Sequence, residues 1–224
     1  MSADALKDNA ARAAIDFIQA ETRDQLLVGI GTGSTAECFI RQLPALRSRI
    51  LATVASSVRS EALLTEQEIP VIDLNAAGPL DIYIDGADEI TAELHMIKGG
   101  GAALTREKII AAASRFFVCI ADDSKLVREL GTFPLPIEVI PMARQYVADA
   151  LREMGGSPAW REGVLTDNGN MILDVRDLDC SKALELETNI NQITGVVTNG
   201  LFARRPADLA LLGGESGVQT LSRS

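Results

Sequence analysis

A short segment, residues 81–108, concentrates the charged groups and glycines that could catalyse a proton transfer. Asp85 and Asp88 lie three positions apart with two small residues between them, so both carboxylates can face one pocket. Lys98 directly precedes three consecutive glycines and supplies a compact positive charge with three hydrogen-bond donors. Glu107 follows near the predicted start of a helix, where the helix dipole favours the ionised carboxylate.

Together these groups form the equipment for abstracting a proton next to a carbonyl group and stabilising the resulting enediolate. Glu107 would be the general base. Lys98 and the N–H groups of the glycine triplet would stabilise the oxyanion, because glycine lets the backbone come close to a ligand. Asp85 and Asp88 would act as acids or bases towards hydroxyl groups.

The same residues also fit simpler roles in the fold. Asp85-Gly86 is compatible with a plain turn, Asp88-Glu89 with a solvated loop and Glu107-Lys108 with an ordinary helix start. Clustered carboxylates suit Mg²⁺ or Ca²⁺. However, the spacing does not match the Ca²⁺-binding loop, and the nearby lysine would compete for the carboxylates. We therefore predict no metal site.

A second candidate site follows the predicted strand 26–30, where Gly31-Thr32-Gly33-Ser34-Thr35 leads into a helix. Free N–H groups and the helix dipole favour a phosphate at such a turn, and the three hydroxyl groups add donors. A dinucleotide site requires an acidic residue about 20 positions on, and a P-loop requires a lysine after the glycines. Neither is present. A small phosphate ester and a purely structural turn remain as alternatives.

The elements that must position these residues alternate between strand and helix up to about residue 131, which predicts a parallel sheet. The Asp-Asn-Gly at 167–169 predicts a hairpin turn, and the prolines within 133–141 predict a linker or an edge strand. The predicted helices are 3–19, 36–46, 58–66, 106–114, 143–154 and 182–192, and the predicted strands are 26–30, 50–55, 70–74, 81–84, 116–121, 163–166, 170–175, 195–198 and 207–212.

We therefore predict an α/β protein with two domains. Residues 1–131 and 204–224 would form a Rossmann-like parallel sheet flanked by helices. Residues 132–203 would form an inserted, smaller α+β domain of the ferredoxin-like type, with an antiparallel sheet. The strand 207–212 would rejoin the first sheet.

Composition excludes several classes of protein. The net charge of −10 argues against non-specific nucleic-acid binding. No apolar run reaches the roughly 18 residues that span a bilayer, and the polar first ten residues do not resemble a secretory signal. Cys38, Cys119 and Cys180 are far apart and predict reduced thiols. We expect a cytoplasmic protein without nucleic-acid or membrane partners.

Five blocks, in order along almost the whole chain, closely resemble the type A ribose-5-phosphate isomerases. No single block is decisive, but the ordered set is highly specific. The blocks are Gly31-Thr32-Gly33-Ser34-Thr35-Ala36, residues 83–89 (YIDGADE), residues 96–108 (MIKGGGAALTREK), residues 134–141 (PLPIEVIP) and residues 166–170 (TDNGN).

The resemblance implies an aldose–ketose isomerase of the pentose phosphate pathway. It would interconvert D-ribose 5-phosphate and D-ribulose 5-phosphate through a cis-enediolate, without metal or organic cofactor, commonly as a homodimer or larger. Glu107, Asp85, Asp88 and Lys98 would be catalytic. The residues that would bind the substrate are Thr32, Gly33, Ser34, Thr35, Asp85, Gly86, Ala87, Asp88, Lys98, Gly99, Gly100, Gly101 and Lys125.

Rival functions have weaker support. A sugar-phosphate sensor fused to a DNA-binding module would need a helix-turn-helix, and the N-terminal helix is too short and too close to the first strand to supply one. A sugar-phosphate deaminase or an acyl-CoA transferase would share only the scaffold, and a shared fold does not fix function.

Overall fold

The computed structural model describes residues 1–223. The helices are α1 (Ala3–Ala20), α2 (Ser34–Gln42), α3 (Val58–Glu66), α4 (Leu74–Ala77), α5 (Leu104–Ala113), α6 (Arg144–Glu153) and α7 (Ala183–Asn191). The strands are β1 (Leu26–Ile30), β2 (Ile50–Ala55), β3 (Leu80–Asp85), β4 (Glu89–Ile90), β5 (Met96–Ile97), β6 (Ser114–Asp122), β7 (Leu135–Val139), β8 (Ser157–Trp160), β9 (Met171–Arg176), β10 (Val196–Asn199), β11 (Leu201–Phe202), β12 (Leu209–Gly214) and β13 (Gly217–Ser222). Short 3-10 turns span Leu43–Arg49, Asp123–Lys125, Pro141–Ala143 and Cys180–Lys182.

The chain divides into two compact units. The first contains residues 1–87, 106–126 and the segment from Ala207 onward, and the second contains residues 88–105 and 127–206. Residues 88–105, 127–131 and 204–206 thus group with the second unit, whereas the predicted boundaries place them in the first domain. Those boundaries stay a prediction, since grouping by contact does not show which part folds alone.

The first unit is built on a six-stranded sheet with the order β13-β12-β6-β3-β1-β2. The strands β2, β1, β3, β6 and β12 run parallel, and β13 pairs antiparallel at the edge. β1 has β2 on one side and β3 on the other, so the strand order reverses at β1, as in doubly wound folds. The predicted parallel sheet is confirmed, and β12 rejoins it as expected.

One apolar cluster of the first unit joins α1 and α2 to strands of the sheet. Ala14 and Ile18 of α1, Phe39 of α2, and Val28 and Ile30 of β1 belong to this cluster. Strands of a parallel sheet that is covered by helices are near-continuously apolar. This explains why these strands are recognisable from sequence.

The second unit has the order β7-α6-β8-β9-α7-β10 along the chain. Its four strands form an antiparallel sheet with the order β10-β7-β9-β8. This is the predicted ferredoxin-like arrangement. Val147 and Leu151 of α6 and Ile190 of α7 pack with Ile137 and Leu173 of the sheet. A separate small sheet of the same unit has the order β11-β5-β4.

The prediction that the proline-rich segment 133–141 forms a linker or edge strand is wrong. β7 lies inside its sheet, between β10 and β9. Pro136 stands opposite Asp174, and its carbonyl accepts the N–H of Gly200 at 2.7 Å. At this position Gly200 bonds to the carbonyl group, which proline retains. The strand therefore tolerates the missing proline N–H.

Two other predicted strands are wrong. In 70–74, Val71 forms only an isolated bridge to Thr53, and Asp73 accepts the N–H of Asn75 at 2.7 Å to begin α4. In the hairpin, the strand that pairs with β9 is β8, and residues 163–166 belong to the loop. The predicted helix 36–46 ends at Gln42, and a 3-10 turn containing a proline follows.

Candidate active site

In the first unit, the loop after β1 contacts the end of β3. The N–H of Gly31 donates to Ile84 O at 2.8 Å, and the N–H of Thr32 donates to Asp85 Oδ1 at 3.1 Å. A Cβ atom on Gly31 would lie 1.9 Å from Asp85 Oδ1, so only glycine permits this approach. The sheet therefore brings the predicted phosphate loop and the predicted catalytic aspartate together at the strand-order reversal, where ligands bind in such folds.

The hydroxyl group of Thr32 belongs to a network of hydroxyls beneath the loop. It lies 2.7 Å from Ser56 Oγ and 2.8 Å from Ser57 Oγ. Ser60 Oγ in turn donates to Gly31 O at 2.6 Å. This network stabilises the loop from inside. That the Thr32 hydroxyl donates to a ligand stays a prediction, and the serines beneath it are not among the predicted site residues.

The other loop residues lead into α2. Gly33 precedes the helix with φ of +105°, and no described side chain caps the helix N-terminus. Ser34 is exposed and Thr35 is half-buried. The first N–H groups of α2 are therefore not occupied by a capping side chain within residues 1–223, as an anion-binding helix end requires.

A buried acidic cluster lies beside this loop in the first unit. Tyr83 and Asp85 are both 0% exposed, and Glu107 is 4% exposed. The Tyr83 hydroxyl donates to Asp85 Oδ2, and the N–H of Gly86 donates to Asp85 Oδ1 at 2.7 Å. Burial, followed by the negative charges of Asp85 and Glu107, raises the pKa of Tyr83 well above its ordinary value. Tyr83 is thus a neutral donor placed near two carboxylates.

Close packing of α5 on β1 sets the position of Glu107. Ile110, three residues after Glu107, is buried, and a Cβ atom on Gly29 would lie 2.5 Å from Ile110 Cγ2. The same Cβ atom would lie 2.9 Å from the Tyr83 ring. Gly29 therefore lets the helix and the tyrosine reach the positions that form the acidic cluster.

Lys125 lies at the same edge of the sheet. It is half-buried at the end of the 3-10 turn that follows β6, and Asp122 begins this turn by accepting the N–H of Ser124 at 3.2 Å. β6 is a neighbour of β3, and β3 separates it from β1. Because these strands are parallel, Lys125 emerges at the edge that holds Asp85, one strand further along.

In the second unit, one short turn joins Asp88, Lys98 and the glycine triplet. The Asp88 carboxylate accepts the N–H of Gly100 at 2.8 Å. Lys98 is 3% exposed, and its Nζ lies 5.5 Å from the centroid of the Phe202 ring. An aromatic face stabilises a desolvated ammonium group.

Arg161, which directly follows β8 in the second unit, supports this turn. Its Nη1 donates to the carbonyls of Gly99 at 3.0 Å and Gly100 at 3.1 Å. Its Nε and Nη2 pair with the two oxygens of Asp174 at 2.8 and 2.5 Å. The planar guanidinium can hold both partners at once because its donors form a fixed fork.

Tyr83 and Arg161 are not among the predicted site residues, for different reasons. Tyr83 is two positions before Asp85 on a strand, so both side chains point to the same face, and this spacing was a usable signal. Arg161 is about 60 positions from its glycine partners, and no local pattern links them.

The described part of the chain offers neither a clustered metal site nor a membrane-spanning helix. Within residues 1–223, no group of three or more His, Cys, Asp or Glu side chains is placed to hold a metal ion. None of the helices described there has the length and apolar character needed to cross a bilayer. The three cysteines are present as thiols.

Comparisons with known proteins agree over nearly the full chain. The family model of ribose 5-phosphate isomerase A (phosphoriboisomerase A) matches residues 52–217. Ribose 5-phosphate isomerase A from Neisseria gonorrhoeae is 46% identical, with a TM-score of 0.95 over 100% of this chain and 98% of that one. The enzyme from Methanocaldococcus jannaschii is 41% identical, with a TM-score of 0.91 over 99% and 100%. A D-ribose-5-phosphate isomerase in complex with phospho-erythronic acid is 37% identical, with a TM-score of 0.92 over 100% of both chains.

The match to the family model and the similarity to these solved isomerases over nearly the full chain identify the class of protein as an isomerase. Within that class, the chain belongs to the ribose 5-phosphate isomerase A family.

Proposed function

We propose that the chain interconverts D-ribose 5-phosphate and D-ribulose 5-phosphate with Glu107 as the base. Glu107 removes the proton from C2 of the open-chain aldose, and the electron pair moves to form a cis-enediolate with negative charge on the C1 oxygen. A proton then passes from the C2 hydroxyl to the C1 oxygen, and Glu107 returns its own proton to C1, so that the C2 oxygen becomes the carbonyl. The supporting observation is the burial of Glu107 beside the Tyr83–Asp85 pair.

The other residues take the roles that the family pattern gives them. The Gly31–Thr35 loop and the N-terminus of α2 would bind the phosphate, with Lys125 as a further cation. Lys98 and the N–H groups of Gly99, Gly100 and Gly101 would stabilise the enediolate oxygen. Asp85, Gly86, Ala87 and Asp88 would contact the sugar hydroxyls and assist ring opening.

A related structure supports the intermediate. That isomerase was solved in complex with phospho-erythronic acid. The compound combines a phosphate with a planar carboxylate, and the two carboxylate oxygens resemble those of the enediolate. We expect the present chain to bind phospho-erythronic acid more tightly than substrate, as enzymes bind analogues of their reactive intermediates.

We further propose that the enzyme acts in the pentose phosphate pathway, in the cytoplasm and as a homodimer. The family resemblance supports the pathway and the assembly. The second unit also exposes apolar side chains of the kind found at interfaces, since Met142 is 96% and Tyr146 62% exposed. Light scattering of the purified protein tests the assembly, and a monomer at micromolar concentration would contradict it.

One assay tests the reaction and the base together. Purified protein with ribose 5-phosphate and a chelator should form the ketose. Glu107→Gln should still bind phospho-erythronic acid but lose about 10²–10⁴-fold in kcat, the usual contribution of a general base. Near-normal turnover in that variant would remove Glu107 from its assigned role.

A further inference from the structure

Glu138 is a fully buried carboxylate that the proposed reaction does not use. It lies on β7 of the second unit and is 0% exposed. Thr166 Oγ1 donates to it at 2.9 Å, Asn168 Nδ2 at 3.2 Å and Asn170 Nδ2 at 2.8 Å, and the Thr105 hydroxyl donates to its other oxygen. Such a set of donors replaces the water that a buried carboxylate has lost.

The four donors come from two places in the chain. Three belong to the turn at 166–170, which closes the β8–β9 connection. The fourth, Thr105, lies in the first turn of α5, two positions before Glu107. Glu138 therefore holds the start of the helix on which the proposed base is located.

The first turn of a helix is less constrained than its middle, because its first N–H groups have no partner within the helix. A side chain anchored there limits the motion of the whole turn. For a catalytic base, a displacement of about 1 Å is enough to reduce the rate by up to about 10²-fold. An anchor two residues from the base is thus placed where it affects the rate.

We propose that Glu138 is a positioning residue for the isomerisation, acting through the Thr105 hydroxyl to fix the first turn of α5 and with it the Glu107 carboxylate. The proposal rests on the assignment of Glu107 as the base. Among the donors to Glu138, only Thr105 belongs to α5, so the proposed positioning role belongs to Thr105 and not to the donors at 166–170.

A matched pair of variants separates positioning from stability. Thr105→Val and Thr166→Val each remove one hydroxyl donor from the same carboxylate and keep the β-branched shape. Thr105→Val should lower kcat by roughly 10- to 100-fold with little change in KM, and Thr105→Ser should restore the rate. Thr166→Val should melt at a lower temperature but keep the wild-type kcat. Equal losses of kcat in both valine variants, or no loss in Thr105→Val, would overturn the proposal.

A double-mutant cycle keeps this proposal distinct from the assignment of the base. If Thr105 acts through Glu107, Thr105→Val should cause no further loss in the Glu107→Gln background. The same fold-loss with and without Glu107 would overturn the positioning role while leaving the base in place. Near-normal kcat in Glu107→Gln alone would instead overturn the assignment of the base.

Discussion

At the scale of single residues, Asp85 is held by donors on both of its oxygens. Oδ1 accepts the N–H groups of Thr32 and Gly86, and Oδ2 accepts the Tyr83 hydroxyl. Tyr83 can serve as a permanent donor because burial and two carboxylates oppose its ionisation and raise its pKa. The carboxylate is therefore oriented before any ligand arrives.

The Tyr83 hydroxyl should contribute to both stability and rate. Tyr83→Phe keeps the ring but removes the donor, which leaves a buried carboxylate oxygen with one fewer partner. We expect a loss of about 1–3 kcal/mol in the free energy of unfolding, measured by urea denaturation, and a lower kcat. Tyr146→Phe, at a 62% exposed position, is the control and should change neither quantity. An unchanged unfolding free energy in Tyr83→Phe would contradict this role.

Lys98 should act on the transition state more than on substrate binding. Lys98→Met keeps a long side chain against the Phe202 ring but removes the charge. We expect kcat to fall by about 10²–10³-fold, as for the loss of an oxyanion donor, in steady-state kinetics. A change confined to KM would make Lys98 a binding residue.

Residue types and spacing are enough to select most of the residues proposed for the site, because these groups are adjacent in sequence, and their roles stay a prediction. Asp85, Asp88, Lys98 and Glu107 fall within one segment. The supporting groups could not be predicted in this way. Arg161 reaches the glycine turn only after the second unit's sheet has formed, so its role is encoded in the fold and not in a local pattern.

At the scale of elements, the glycine turn after β5 depends on Arg161, which follows β8 and pairs with Asp174 of β9. Arg161→Lys should reduce kcat/KM by about tenfold, because an ammonium group cannot hold both glycine carbonyls and the carboxylate in a fixed fork. Arg152→Lys is the matched control, since Arg152 forms an exposed pair with Asp149 at 2.5 Å. Equal effects of the two substitutions in the kinetic assay would show that the turn does not need Arg161.

Secondary structure was predictable where the local pattern and the tertiary context agree. β1 and β2 have the predicted bounds because both are apolar strands of a covered parallel sheet. β7 was misjudged because proline normally avoids interior strands, and only the pairing with β10 and β9 shows that Pro136 is tolerated. The partner strand of the hairpin is not predictable in this way, because β8 contains a proline and is mostly exposed, whereas β9 buries Ile172, Leu173 and Val175.

At the scale of the whole molecule, one buried and one half-buried thiol should make the fold sensitive to alkali. Burial raises the pKa of both Cys38 and Cys180 from 9.0 to about 11. The unfolded chain loses these protons first, so their contribution to stability is fully present below about pH 9 and is lost as the pH rises towards 11. The melting temperature should therefore decline over this range. Cys38→Ala should decline less steeply, and a slope equal to that of the wild type would contradict the assignment.

The place of β12 in the first unit's sheet has a consequence for biosynthesis. β12 lies between β6 and β13, and residues 123–208 separate it from β6 along the chain. A nascent chain therefore displays β6 as an open edge until the β12 segment has left the ribosome. At about 5–20 residues per second this lasts on the order of ten seconds. Unpaired edges invite pairing with other polypeptides. The growing chain should therefore need protection by a chaperone during translation more than the finished enzyme does.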